Sequence, residues 1–125
     1  MKTAKKVARG PSQRQLRAGE LVRHALVEIL ARDELRDPDL AGVSVTIGEV
    51  RASPDLQHMT AFVAPLGPGD AKTIAAALTR SRGFLRGRLG RIVELRHTPE
   101  LHFLPDESYA IATHIDELLR RPEVR

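Results

Sequence analysis

Residues 70–86 read D-A-K-T-I-A-A-A-L-T-R-S-R-G-F-L-R, and residues 87–105 continue G-R-L-G-R-I-V-E-L-R-H-T-P-E-L-H-F-L-P. Apolar residues recur at three- and four-residue steps on both sides of Ser81-Arg82-Gly83, which predicts two short helices that meet at a kink. Asp70 is suited to cap the first helix. The stripe of the second helix is predicted to consist of Phe84, Leu85, Leu89, Ile92 and Val93. Beyond Pro99, the alternation of Leu101 and Phe103 predicts a strand.

The sequence before this stretch predicts one long helix and a hairpin. Helical periodicity extends from about residue 12 to residue 33, with Ser12 as the N-cap and Asp37-Pro38 as a barrier to continuation. Alternating apolar residues from Val43 predict a strand, which needs a bulge at Gly48 to stay in register. Ser53-Pro54-Asp55-Leu56 predicts a type I turn that leads into a return strand over about residues 57–64.

After the last strand, Asp106 is suited to cap a final helix, so the predicted order is α-β-β-α-α-β-α. This order predicts an α+β fold in which a three-stranded sheet packs on helices. At 125 residues the chain has room for one core. We expect a flexible basic tail at residues 1–11, one domain at residues 12–119 and a short tail at residues 120–125.

Positive charge is concentrated in two parts of the chain. Residues 1–36 carry nine basic and four acidic side chains, and residues 70–96 carry seven and two, although the formal net charge is only +4. Such a distribution favours a basic face that meets a polyanion, most often a nucleic acid. A basic helix that is merely solvated is the alternative. Neither a secretory signal nor a membrane span is predicted.

No constellation of residues predicts an enzyme or a cofactor site. Cysteine is absent, and the five histidines do not show the spacing of a metal site. His97 and His102 are five residues apart along an extended segment, so their side chains are expected on opposite faces. His24, His58 and His114 are isolated in the sequence. No phosphate-binding loop motif is present, and we therefore expect no catalytic residue, metal or cofactor.

The composition also separates the modes of nucleic-acid binding. With no Trp, one Tyr and three Phe, the chain is poorly supplied for stacking bases on aromatic side chains. A KH-type module instead clamps the nucleotide backbone at a glycine-containing turn between two helices, and the kink at residues 81–83 fits that requirement. Gly87-Arg88-Leu89-Gly90 matches the G-x-x-G string literally, but Leu89 belongs to the apolar stripe, so the match is weak.

Four segments together resemble a known family. They are Ser53-Pro54-Asp55-Leu56, Ser81-Arg82-Gly83-Phe84-Leu85-Arg86, the stretch L-R-H-T-P-E-L-H-F at residues 95–103, and Asp106-Glu107-Ser108. In order and spacing they are similar to the ribosome-binding factor A family over about residues 12–119. Within them, R-x-x-P-E-L-x-F is the most specific string.

The resemblance implies a type II KH-like domain in which an alanine-x-glycine kink replaces the G-x-x-G loop. It also implies a non-catalytic cytoplasmic factor that binds the small (30S) ribosomal subunit and assists late maturation and processing of 16S rRNA. Two residues depart from the family pattern: Ser81 stands where alanine is usual, and its hydroxyl is able to cap the second helix, while Asp39 stands where arginine is commoner. The implied partners are the small subunit, its 16S rRNA and other assembly factors including a GTPase, with the protein itself a monomer.

We expect the RNA contacts to come from the kink, the arginines around it and the basic tail. The predicted contact residues are Lys72, Arg80, Ser81, Arg82, Gly83, Arg86, Arg88, Arg91, Arg96, Lys5, Lys6 and Arg9. Two other classes of protein are compatible with the same predicted KH-like fold. One is a DNA-binding domain that inserts a helix into a groove, and the other is a protein-interaction module whose binding depends little on salt.

Overall fold

A computed structural model describes residues 10–32 and 35–107. It contains helix α1 (Gln13–Arg32), a 3-10 turn (Pro38–Leu40), strands β1 (Val45–Ala52) and β2 (His58–Pro65), helices α2 (Ala71–Arg80) and α3 (Arg82–Ile92), and strand β3 (Glu100–Pro105). The predicted order is confirmed through β3. The predicted last helix lies outside the described residues, as do residues 1–9 of the first predicted tail and the whole of the second.

Local sequence signals explain where α1 and α2 begin. The Ser12 hydroxyl accepts from the backbone N–H of Gln15 at 3.1 Å, and the Gln15 side chain accepts from the N–H of Ser12 at 2.9 Å, which is a reciprocal capping box. At α2, the Asp70 carboxylate accepts from the N–H of Lys72 at 3.2 Å and from the Thr73 hydroxyl at 3.1 Å. Both predicted caps are confirmed.

The three strands form one sheet with β2 at its centre. β1 pairs with β2 antiparallel, and β3 pairs with β2 parallel after the chain has crossed through α2 and α3. The register shifts between Ile47 and Glu49, so the predicted bulge at Gly48 is confirmed. At the hairpin, the N–H of Leu56 donates to the carbonyl of Ser53 at 2.9 Å, which closes the predicted turn.

All three helices of the described residues contribute to a core on one face of the sheet. At Gly19, α1 lies close against β1, because a Cβ atom there would run into the backbone carbonyl oxygen of Val50. The buried side chains of this core are Ala18, Val22, Ala25, Leu26, Ile29, Leu40, Ile47, Val50, Met59, Ala61, Val63, Ile74, Ala75, Ala77, Leu78, Leu85, Leu89, Val93, Leu101 and Phe103.

The predicted stripe of α3 is wrong at two positions. Phe84 and Ile92 are each 44% exposed, whereas Leu85 and Leu89 are fully buried. Since α3 borders the core instead of crossing it, only a narrow part of its circumference is covered. The rest of α3 faces solvent.

Candidate nucleic-acid interface

The exposed side of α3 carries glycines between two rows of arginines. Gly83 and Gly87 are four residues apart and thus lie one above the other on the same face of the helix. A Cβ atom added at either glycine would meet nothing within 4 Å. The packing of the described residues therefore does not require glycine at these two positions. Without side chains there, the helix backbone is exposed to solvent. We call Gly83 and Gly87 the glycine strip.

Helical geometry places arginines on both sides of this strip. Arg82 and Arg86 are one turn apart along one side, and Arg88 and Arg91 lie along the other. A phosphate that approaches the strip would come close to the helix backbone and would be flanked by guanidinium groups. Such an arrangement suits a polyanion whose charge is spaced along a chain.

The kink itself lies at Ser81, one residue before α3 begins. Ser81 has φ −99° and ψ 9°, and its N–H still bonds back to the carbonyls of α2. Its hydroxyl makes no capping hydrogen bond to α3, so the expectation that it caps the second helix is wrong. Because the opening N–H groups of a helix have no intrahelical acceptor, an uncapped start presents donors to an anion.

Arg80 is engaged with two carboxylates. Its Nε donates to Asp37 Oδ2 at 2.8 Å and its Nη2 donates to Asp37 Oδ1 at 2.9 Å, while Nη2 also donates to Asp39 Oδ2 at 2.8 Å. The guanidinium group, together with the backbone N–H of Asp39, holds the pKa of Asp37 below its ordinary value. The two carboxylates in turn raise the pKa of Arg80. A phosphate would have to compete with them.

Arg86 is also engaged, in this case with the backbone. Its Nη2 donates to the carbonyl of Thr98 at 2.8 Å and its Nε donates to the carbonyl of Pro99 at 3.2 Å. A carboxylate oxygen of Glu100 lies 3.6 Å from the same Nε. Arg86 therefore ties α3 to the segment that leads into β3, and its substitution would disturb the fold as well as the surface.

The other predicted contacts fall into three groups. The Arg88 guanidinium lies 5.1 Å from the centroid of the Phe84 ring, which holds it against the exposed aromatic face. Among the described residues, no carboxylate pairs with the remaining four basic side chains of the predicted set. These four are Lys72, Arg82, Arg91 and Arg96, and all carry solvent-accessible side chains. The predicted tail contacts Lys5, Lys6 and Arg9 lie outside the described residues.

Two features of this surface were missed in the sequence. One is the pairing of Arg80 with Asp37 and Asp39, which brings together residues 43 and 41 positions apart. The sequence signal that could have revealed this pairing was the aspartate at position 39, where the family commonly has arginine. The other is the exposure of Gly87. In the sequence this residue was considered only as the first glycine of the G-x-x-G string.

The histidines were also not all isolated. His58 in β2 and His102 in β3 lie side by side, with Nδ1 of His58 3.0 Å from Nε2 of His102 and the rings stacked. Within residues 10–32 and 35–107, no group of three potential ligands is placed to hold a metal ion. Nor does any helix of that part have the length and apolar character needed to cross a bilayer.

The strand order, the parallel β2–β3 pair and the kinked pair of helices between them form an α+β domain of order α-β-β-α-α-β over the described residues, the order expected of the type II KH-like fold that the resemblance implies. KH domains as a class bind nucleic acid at the junction of two helices. The family whose sequence model matches this chain is described as ribosome-binding factor A, and the match covers residues 14–119. The chain belongs to this family.

Individual relatives agree with that assignment. The chain is 61% identical over 118 residues to ribosome-binding factor A of Maricaulis maris, a match that covers 94% of this chain and 84% of the relative. Its identity to the Hyphomonas neptunium protein of the same name is 63% over 118 residues, covering 92% and 87%.

Solved structures of the family share the fold. The crystal structure of ribosome-binding factor A from Thermus thermophilus matches with a TM-score of 0.61 at 28% identity, over 73% of this chain and 94% of that one. A homology model of the Thermus thermophilus protein, as fitted into the cryo-EM map of its complex with the 30S subunit, matches with a TM-score of 0.55 at 26% identity, over 71% and 91%.

Proposed function

We propose that this protein binds the small ribosomal subunit through the exposed side of α3 and thereby assists late maturation and processing of its 16S rRNA. The observation that carries the proposal is the glycine strip between two rows of arginines. Family membership supports it, and so does the Thermus thermophilus relative whose coordinates were fitted into a 30S complex.

The physical basis is a close approach of an RNA backbone to a helix that offers little steric hindrance. A glycine inside a helix costs about 0.5 to 1 kcal/mol relative to alanine. Gly87 incurs this cost in the interior of α3, although an added Cβ would fit there without contact. A partner that must approach the helix backbone closely would explain why glycine occupies this position. The uncapped start of α3 adds N–H donors at the same end as Arg82.

Within this proposal, the protein is a non-catalytic monomer of the cytoplasm with one domain at residues 12–119. The basic residues Lys5, Lys6 and Arg9 extend its electrostatic reach from the tail at residues 1–11, and residues 120–125 form a second short tail. Other assembly factors, including a GTPase, act on the same particle.

Co-sedimentation with isolated small subunits, large subunits and duplex DNA tests the proposal, at low and at near-physiological salt. We expect binding to small subunits that persists near physiological salt. Indiscriminate binding that is lost on adding salt would reduce the protein to a generic basic domain. Preference for duplex DNA would point to the DNA-binding class instead.

Site variants locate the interface. Arg82→Ala combined with Arg91→Ala removes two guanidinium groups that no described carboxylate pairs with, and we expect small-subunit affinity to fall about tenfold. Arg14→Ala combined with Arg17→Ala is the matched control, because it removes the same charge from two exposed arginines of α1 that no described carboxylate pairs with. Equal losses in the two double variants would show that net charge alone drives binding.

A further inference from the structure

The ion pairs of Arg80 point to an internal regulator of RNA affinity. We propose that Asp39 occupies the edge of the Arg80 guanidinium that an RNA phosphate would otherwise bind, and so lowers the affinity of this surface for the small subunit. The proposal rests on the proposed function, and it concerns how tightly the same surface binds.

The two edges of the guanidinium group are used differently. Asp37 takes the side edge with both of its oxygens, at 2.8 Å from Nε and 2.9 Å from Nη2. This fork-to-fork pairing fixes the plane and direction of the group. Asp39 takes the remaining donor of Nη2 at 2.8 Å, which belongs to the end edge. A bidentate phosphate needs Nη1 and Nη2 together, so Asp39 stands in its place.

The carboxylates of Asp37 and Asp39 also differ in exposure and in their contribution to the structure of the 3-10 turn. The side chain of Asp37 is only 10% exposed, and its Oδ1 accepts from the N–H of Asp39 at 3.0 Å to cap the 3-10 turn. Leu40, at the end of that turn, is buried in the core. Asp37 therefore holds Arg80 in position. Asp39 is 48% exposed and its side chain makes no other described hydrogen bond, so its removal leaves this support intact.

Location makes this pairing relevant to RNA. Arg80 is the last residue of α2 and lies two positions before Arg82, beside the kink at Ser81. Its side chain remains 52% exposed in spite of its two partners. A carboxylate at this point adds repulsion for an approaching phosphate and occupies one of the two donors that a bidentate phosphate would use. A factor that binds its target only for a limited time benefits from such a counterion, since it shortens the lifetime of the complex.

The test is the affinity of Asp39→Ala for isolated small subunits, measured over a range of salt concentrations. We expect binding that is about three- to tenfold tighter than wild type, mostly through slower dissociation. The slope of log affinity against log salt should steepen by about 0.7 to 0.9, the value for one added phosphate contact. The melting temperature should change little, because the pair is exposed.

Glu49→Ala is the matched control. Glu49 is 54% exposed and pairs with Arg51 at 2.9 Å, so the variant removes a similar carboxylate from a similar ion pair on β1. A second control adds Arg80→Ala to Asp39→Ala, and we expect this double variant to lose the gain. The proposal is overturned if Glu49→Ala tightens binding as much as Asp39→Ala, or if the gain survives without Arg80.

Failure of the inference and failure of the proposed function give different results. If wild type binds small subunits selectively but Asp39→Ala binds no more tightly, only the role of Asp39 is wrong. If wild type shows no preference for small over large subunits, the proposed function itself fails.

Discussion

Two glycine-to-alanine substitutions in helices should have opposite effects on stability. Gly19 in α1 and Gly87 in α3 both lie inside helices, so each substitution gains about 0.5 to 1 kcal/mol from helix propensity. At Gly87 an added Cβ meets nothing within 4 Å, and the whole gain is retained. At Gly19 it meets the backbone carbonyl oxygen of Val50, which cannot rotate away as a side chain would.

The expected magnitudes follow from this contact. Overpacking in a well-packed core typically costs about 1 to 3 kcal/mol, and the upper part of that range applies where the obstacle is backbone in the adjacent strand. After the propensity gain is subtracted, Gly19→Ala should lose about 1 to 2 kcal/mol. Gly87→Ala should gain about 0.5 to 1 kcal/mol. The two variants should therefore differ by about 2 to 3 kcal/mol.

Urea unfolding followed by far-ultraviolet circular dichroism measures both free energies, and thermal unfolding provides a second readout. Each kcal/mol should move the melting temperature by about 4 °C in a domain of this size. The urea slope should not change, because neither substitution alters the surface exposed on unfolding. If Gly19→Ala were as stable as Gly87→Ala, the close packing of α1 on β1 would be refuted.

Two further predictions concern the surface and the acid stability of the protein. Gly83→Leu places a bulky side chain over the start of α3, where an added Cβ meets nothing within 4 Å, so small-subunit affinity should fall about tenfold without a loss of melting temperature. Asp37→Asn removes a carboxylate whose folded pKa lies below its ordinary value of 3.8 because Arg80 and the N–H of Asp39 bind it. The wild-type advantage in stability should be complete above about pH 5 and should shrink as the pH falls through the folded pKa of Asp37.

Each of these has a control and a contradicting outcome. Ala76→Leu adds similar bulk at an exposed position of α2, and an equal loss of binding in that variant would remove the argument for Gly83. For Asp37, urea midpoints of wild type and variant between about pH 2 and pH 7 give the comparison. A constant difference down to the acid end of that range would mean that the Arg80 pair does not supply the advantage.

Over the described residues, the sequence by itself determined the helices and strands and their boundaries to within a few residues. The capping box at Ser12, the cap at Asp70, the bulge at Gly48 and the turn that closes on Leu56 all depend on neighbours a few positions away. Hydrogen bonds of such short range leave their mark in local residue order. The family resemblance could be recognised in the sequence because it also rests on short strings of neighbouring residues.

Only the tertiary structure decided which faces are covered and which charges are available. Phe84 and Ile92 share the period of buried residues but face solvent, because the extent of the core beneath α3 depends on the sheet and on α1. Arg80 and Arg86 look alike in the sequence, yet one binds carboxylates from a distant turn and the other binds carbonyls before β3. Periodicity reports one element at a time, whereas burial and ion pairing depend on residues that chain folding brings together.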